Sequence, residues 1–463
     1  MSQVSGSIDA VINNGVCVGC GNCAAFAPQA FSMVETEFGL IQAERVQESN
    51  GHSEGKICPF ANSERNEDYF NRDYQADSTG YDVGVGFYRS VRAGFVNDTE
   101  RRLASSSGGL VTYLLETLLE RGMISGAIVV SSLEGASGRL QYSLVRSIHE
   151  LRSARKSKYH MVSHDAVVRE ILAGNDNDRL IYVGIPCGVK AIKLLAAELP
   201  ELKRKIKYTA AIFCGHQKSH AFTEYVAWQM GVAPSELRGI DYRLKEPSDD
   251  ASKYYYQVTS ETGSLKARVD SLKWMDWGLG LFKPKACDFC DDVTGEAADI
   301  IFGDAWHRKY ARDYRGTNLV LTRSKELEML LVEGRDAGEI TLEEEGVQFV
   351  YATQGGNFRH RQEGLLSRLN YYKLSRQWAP PKDVSRLAKY KHNPKRDRVY
   401  LSRHRISALS HSAFLEAKSR ENLAIFWQRL SPEVSTYYRV SVSYSSRIRS
   451  WLKSCLSYFS RSG

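Results

Sequence analysis

No stretch of the 463 residues approaches the ~20 consecutive apolar positions a membrane-spanning helix needs. The first residues lack a basic segment followed by an apolar run, so no secretory leader is expected. A compact, even set of cysteines is also missing. The nine Cys are spread along the chain, mostly in CxxC-type groups. That argues against a disulfide framework and for reduced, cytoplasmic thiols used as ligands. A uniformly basic surface is lacking too. Residues 381–463 carry 17 Lys and Arg against 5 Asp and Glu, a local +12, and the rest of the chain sums to −4. The net charge of +8 therefore belongs to one segment and is not a nucleic-acid footprint of the whole protein. At 43% hydrophobic and 25% charged residues, the composition is that of a globular chain with room for two or three domains.

What is present begins with Cys17-Val-Gly-Cys20-Gly-Asn-Cys23. Thiols at C-x2-C-x2-C spacing can close on three irons of one cubane cluster, with glycines letting the backbone wrap tightly. In a two-cluster ferredoxin run a fourth Cys would stand where this chain has Ala27 before Pro28. The fourth ligand must come from elsewhere, and Cys58, followed by Pro59, is the candidate. The reading is one [4Fe–4S] cluster on Cys17, Cys20, Cys23 and Cys58. A zinc knuckle is the weaker alternative, because zinc sites usually pair C-x2-C with a second pair or with His. Residues 31–40 read as a hairpin beside the cluster, and the polar 62–78 stretch as a connector.

An α/β region follows. Val91–Val96 reads as a strand, Ser105-Ser-Ser-Gly-Gly109 as the entry to a helix over 110–121, and Ala127–Val130 as the next strand. Hydroxyls, free N–H groups and a helix dipole make that entry a suitable phosphate cradle, although an ordinary capped helix has the same signature. Leu180–Gly184 reads as a buried strand turning off through Ile-Pro-Cys187, and Ile212-Phe-Cys214-Gly repeats the arrangement. Ligands collect at such carboxyl ends. Cys287-x2-Cys290 then adds two thiols. Cys187, Cys214, Cys287 and Cys290 make a second four-thiol site, for zinc or for a second cluster, and the first cluster tilts the choice towards iron. Only Cys455 is left over. Asp304, after the strand at 300–302, could bond a cofactor or cap a helix. His160, His164 and His216 stand near strand ends as candidate proton donors.

This ordered set, from the CxxCxxC run through Ser106-Ser-Gly-Gly109, Val183-Gly-Ile-Pro-Cys187, Phe213-Cys-Gly215 and Cys287-x2-Cys290 to Asp299-Ile-Ile-Phe-Gly-Asp304, resembles the coenzyme F420 hydrogenase/dehydrogenase beta subunit family. That family includes 7-hydroxymethyl chlorophyll a reductase, and the likeness runs over roughly residues 15–370. It implies FAD on an α/β core, with one or two [4Fe–4S] clusters. It places the flavin against Ser106, Ser107, Gly108, Gly109, Lys158, Tyr159, Pro186, Asp304, Thr317 and Asn318. F420 recognition itself is not legible. The long basic tail departs from the family core and resembles bacterial members associated with surface-polysaccharide biosynthesis.

The expected architecture is α+β: a ferredoxin-like module over 1–75, a flavin-binding domain over 76–375, and a basic, mainly helical tail over 376–463. The expected role is an oxidoreductase passing electrons between a ferredoxin-like donor, the clusters, FAD and an organic substrate, glycan- or lipid-linked substrates among them. Two alternatives are an electron-transfer subunit for a partner enzyme and an accessory protein of a polysaccharide complex. Ile448, Trp451, Leu452, Cys455 and Phe459 follow a helical stripe among basic residues. Such a helix suits either peripheral contact with the inner face of a membrane or docking on the protein itself.

Overall fold

The computed structural model describes residues 6–47, 54–133, 138–248 and 250–441. An N-terminal hairpin of β1 (Phe31–Glu35) and β2 (Ile41–Arg45) is followed by the short pair β3 (Gly80–Asp82) and β4 (Gly86–Tyr88). Then come β5 (Ser90–Val96), β6 (Gly126–Ser132), β7 (Leu140–Val145), β8 (Leu180–Gly184) and β9 (Ile206–Ile212). A separate antiparallel sheet holds β10 (Gly239–Leu244), β11 (Tyr255–Ser260) and β12 (Gly263–Arg268). The last strands are β13 (Ile300–Asp304), β14 (Asn318–Thr322) and β15 (Ile340–Glu345).

The central mixed sheet has eight strands in the order β15-β5-β14-β13-β9-β8-β6-β7. Its middle, β13-β9-β8-β6, is parallel, and the flanking pairs are antiparallel. The parallel strands are apolar runs such as Leu-Ile-Tyr-Val-Gly over 180–184, because helices cover both faces. On one face lies the helix Leu110–Glu120, whose Leu110, Leu114 and Leu118 recur at helical spacing and are wholly buried. Truncating one of them to Ala would cost about 3 kcal/mol. The opposite face takes Asp165–Ala173 and Pro186–Glu198.

Two sequence expectations shift here. The hairpin is longer than 31–40, since its return strand begins only at Ile41. The 62–78 stretch contains the helix Glu67–Asn71 and a 3-10 turn at Arg72–Tyr74, and the Tyr74 hydroxyl donates to the Ala297 carbonyl. Its polar residues look outward in sequence, but long-range partners hold them.

The C-terminal helices Pro394–Ser419 and Leu423–Ser441 pack on each other and on the helix His220–Gln229. An aromatic core seals them, with Phe282 stacked on Phe426 at 5.4 Å. Part of the basic charge of residues 381–441 pairs within the protein: Lys418 meets Glu224 at 2.7 Å, and Arg386 meets Glu296 at 2.7 Å. The stripe from Ile448 to Phe459 lies outside the described residues. Among the described residues no helix is long and apolar enough to cross a membrane.

Candidate redox site

Cys17, Cys20 and Cys23 sit on the loop that enters the short helix Asn22–Phe26, and Cys58 follows the turn Glu54–Ile57. The loop is tight because Gly19 and Gly21 hold φ of +69° and +91°. A Cβ on Gly21 would fall 2.2 Å from Ser163 Oγ, so only glycine fits there. Backbone N–H groups of Gly19 and Ala43 each lie 3.4 Å from the Cys17 sulfur. Burial pushes all four thiols up, Cys58 to about 11, and the neighbouring thiols push Cys20 and Cys23 further in the same direction. Clustered thiols that disfavour one another's ionisation give up their protons when a shared cation binds. That donor set fits a thiolate-held cluster.

The second set is assembled from distant parts. Cys187 is in the first turn of the helix that follows β8, and Cys214 stands two residues past β9. Because β8 and β9 are parallel neighbours, with Gly184 opposite Ala211, both cysteines reach one edge. Cys287 and Cys290 come from the turn at Lys285–Phe289 and its end. All four line one small void. The Gln217 backbone N–H is 3.5 Å from the Cys287 sulfur, and its side-chain amide is 3.4 Å from the Cys187 sulfur. Burial raises Cys187 and Cys290, and lifts Cys214 to about 12. The eight cysteines of the two sets are all unpaired. Among the described residues no three His, Cys, Asp or Glu side chains meet tightly enough to hold a single metal ion. Four thiols around a void are a wider arrangement.

A charged shell surrounds this second set. Asp288 is buried against Lys283, Arg368 and His404, the last at 2.9 Å. Asp291 meets Lys382 at 2.5 Å and Arg386 at 2.7 Å. Burial disfavours both carboxylates, and these cations overcome it and hold them ionised.

The two sets lie against one cavity of about 590 Å³, with Cys20 in one wall and Cys187 and Cys214 in another. Between the sets runs a buried polar chain. His164 bonds Asn22 Oδ1 at 2.7 Å and the Tyr182 hydroxyl at 3.0 Å, and Tyr182 donates to Tyr142 at 2.9 Å. Asn22 in turn donates to the carbonyls of Ile57 and Ala191, both at 2.7 Å, which ties the first loop to the segment before Cys58 and to the helix that carries Cys187.

The cavity opens over the carboxyl edge of β8, β9 and β13 and the start of β14. Ser106, Ser107, Gly109, Lys158, Tyr159, Asp304 and Asn318 line it. Gly108, Pro186 and Thr317 do not. Gly108 is wedged where a Cβ would fall 2.5 Å from the Gly94 carbonyl. The Thr317 carbonyl accepts from Ser107 Oγ at 3.0 Å, and Pro186 faces the second thiol void. Several lining groups already have partners. Ser106 Oγ accepts from the Ser157 N–H at 2.7 Å, and Asn318 Oδ1 accepts from the Leu110 N–H at 3.1 Å. The Lys158 ammonium caps the helix Ile148–Ala154 through the carbonyls of Ala154 and Arg155, and burial lowers it to about 8.

Asp304 lines the cavity and does not cap the helix that follows. It meets the Arg243 guanidinium at 3.1 Å and 3.3 Å, while His307 caps the helix that follows. Arg243, Tyr254, Trp277 and Trp306 were not anticipated, yet all line the cavity. Arg243 lies 4.3 Å from the Tyr254 ring centre and 5.3 Å from that of Trp306. The available signal was a Trp just past a strand, Trp306 after β13, and a Trp next to glycine, Trp277 before Gly278, in loops where function concentrates. Of the candidate histidines, His160 bonds Thr223 at 3.1 Å and His164 is used in the chain above. His216 Nδ1 accepts from Arg403 at 3.0 Å, which leaves its proton on Nε2, a buried atom without a partner among the described residues.

Two four-thiol sets stand against one large cavity on a strand edge. Residues 91–169 match the coenzyme F420 hydrogenase/dehydrogenase beta subunit N-terminal model, and residues 177–347 match its C-terminal model. The chain belongs to that family. It is 24% identical over 316 residues to the coenzyme F420-dependent sulfite reductase of Methanocaldococcus jannaschii, covering 64% of this chain but only 43% of that relative. It is 21% identical over 258 residues to the coenzyme F420 hydrogenase subunit beta of Methanothermobacter thermautotrophicus, covering 55% of this chain and 84% of the relative. A solved structure, the xenon-derivatised F420-reducing [NiFe] hydrogenase complex from Methanosarcina barkeri, matches with a TM-score of 0.48 and 17% identity. That match covers 63% of this chain and 96% of that one. The named relatives are oxidoreductases or their subunits, and an oxidoreductase or electron-transfer role is the coarse conclusion.

Proposed function

We propose that the chain is an iron–sulfur flavoprotein oxidoreductase. In this reading, [4Fe–4S] clusters are held by Cys17, Cys20, Cys23 and Cys58, and by Cys187, Cys214, Cys287 and Cys290. FAD lies against Ser106, Ser107, Gly109 and Asn318. Clusters carry single electrons and a flavin exchanges one or two, so together they would couple a one-electron donor, such as a ferredoxin, to a two-electron change in an organic substrate. The observation that carries the reading is that Cys20, Cys187 and the Ser105–Gly109 loop all line one cavity.

The chain's own residues would do the rest. The glycines and the Asn318 bridge fix the loop at the head of the helix Leu110–Glu120. Arg243, paired with Asp304 and flanked by Tyr254 and Trp306, offers a flat cationic wall to a substrate. His216 presents Nε2–H as a donor, its tautomer fixed by Arg403. Whether F420 serves as the substrate or donor is a proposal resting on the names of the relatives.

The test is anaerobic purification with iron, acid-labile sulfide and flavin counted per chain. About eight irons and about one FAD support the reading. Clusters without flavin would replace it with the second reading, an electron-transfer subunit feeding a partner enzyme. That alternative is favoured by the chain's 84% coverage of a hydrogenase subunit.

A further inference from the structure

Arg361 lies beyond the residues matched by the family models, on a single π-helical turn, Arg359–Glu363, between the helices Val347–Phe358 and Gly364–Leu374. The wide turn carries two neighbouring side chains, Arg361 and Gln362, that are both buried, at 4% and 0% exposure. The Arg361 guanidinium enters the second thiol set. It donates to the sulfur of Cys290 and lies 3.8 Å from that of Cys214. Its other N–H groups go to the carbonyls of Cys214 (3.1 Å), Gly215 (3.0 Å), Cys290 (3.1 Å) and Asp292 (3.1 Å). These further acceptors are neutral carbonyls, and the buried Asp292 carboxyl is an acidic group within its electrostatic reach. A guanidinium is charged at any working pH, so a fixed positive charge stands against these sulfurs. The Cys17 sulfur of the first set takes backbone N–H groups, and the cation nearest Cys58, Lys190, is already paired with Glu67 at 3.2 Å.

Reduction adds one negative charge to a cluster. A fixed positive charge and N–H donors at its sulfurs stabilise that added charge, and in a buried site they do so with little screening. We propose that Arg361 raises the reduction potential of the second four-cysteine centre above that of the first. Electrons entering at the N-terminal module then run downhill to the second set. This rests on the reading of Cys187, Cys214, Cys287 and Cys290 as a [4Fe–4S] ligand set.

The experiment is a redox titration of the full chain, prepared anaerobically, with dithionite as the electron source and electron paramagnetic resonance as the readout. Cys23→Ala and Cys290→Ala assign the two signals. In the wild type the second centre should have the higher midpoint potential; the reverse order overturns the proposal whatever the variants do. In Arg361→Gln the second potential should fall while the first stays put, and Arg361→Lys, which keeps the charge without the fork, should lie between. An unmoved second potential in Arg361→Gln with full iron content overturns it. If Arg361→Gln loses iron, Arg361→Lys decides: a potential near the wild-type value supports the proposal, and one displaced below that of the first centre overturns it. A wild-type chain with about four irons instead of about eight would refute the ligand-set reading itself, a different failure.

Discussion

The two four-thiol sets reach the same cavity by opposite routes. The first is local: three cysteines lie within seven residues, and glycines and backbone N–H groups do the shaping. The second joins two strand ends, a turn and a distant helix, and charge shapes it. Asp288, Asp291 and Glu296 are matched by Lys283, Lys382, Arg386 and Arg368. A local site depends on conformation, and a non-local one depends on the fold that converges on it. The first should therefore fail through backbone strain and the second through an unpaired charge.

The largest test is removal of single ligands. Cys23→Ala and Cys290→Ala should each lose about half the iron and retain the signal of the other centre. Loss of all iron in either variant would show that the two sets are not independent. Next is the charged shell. Asp288→Asn would leave Lys283 and Arg368 buried without their carboxylate, and about 3–5 kcal/mol of stability should go, read from urea midpoints. The counterpart in the first set is Gly21→Ala, which forces a Cβ into a left-handed turn against Ser163. A loss of about 2 kcal/mol and weaker iron retention are expected.

The smallest effect is on pH. Burial lowers His164 to about 4, against an ordinary value near 6.5. Between those values the unfolded chain binds more protons than the folded one, so stability falls as pH drops from about 6.5 to 4. A His164→Asn variant should show a shallower acid slope in denaturation midpoints; an unchanged slope would exclude His164 as a source of that dependence.

The first set was legible because its spacing is itself the chemistry. The second was legible as far as cysteines at strand ends, since apolar runs ending in Cys and Gly place those residues at one edge. Its shell was not, because Arg361 lies 147 residues from Cys214 and 71 from Cys290. A trace existed in the uneven charge: a basic tail facing an acidic remainder, with the Asp-Phe-Cys-Asp-Asp run needing cations once buried. The helical stripe of Leu110, Leu114 and Leu118 and the strands at 91–96 and 180–184 were plain from periodicity. The edge strands β7 and β15 and the three-stranded sheet were not read, because their pattern is weak and their partners are distant. The pairing of Asp304 with Arg243 was not read because Arg243 lies 61 residues away on another sheet.

The placement of Lys382 and Arg386 on Asp291 and Glu296 has a practical consequence. A fragment ending at residue 375 would contain every cysteine of both sets. It would also expose the Phe282 face and strand two buried carboxylates without counter-ions. Such a shortened protein should be recovered as insoluble material, or as soluble material carrying iron in the first set alone. The segment leading into the last helices is thus better regarded as the second half of a charge lock than as a linker.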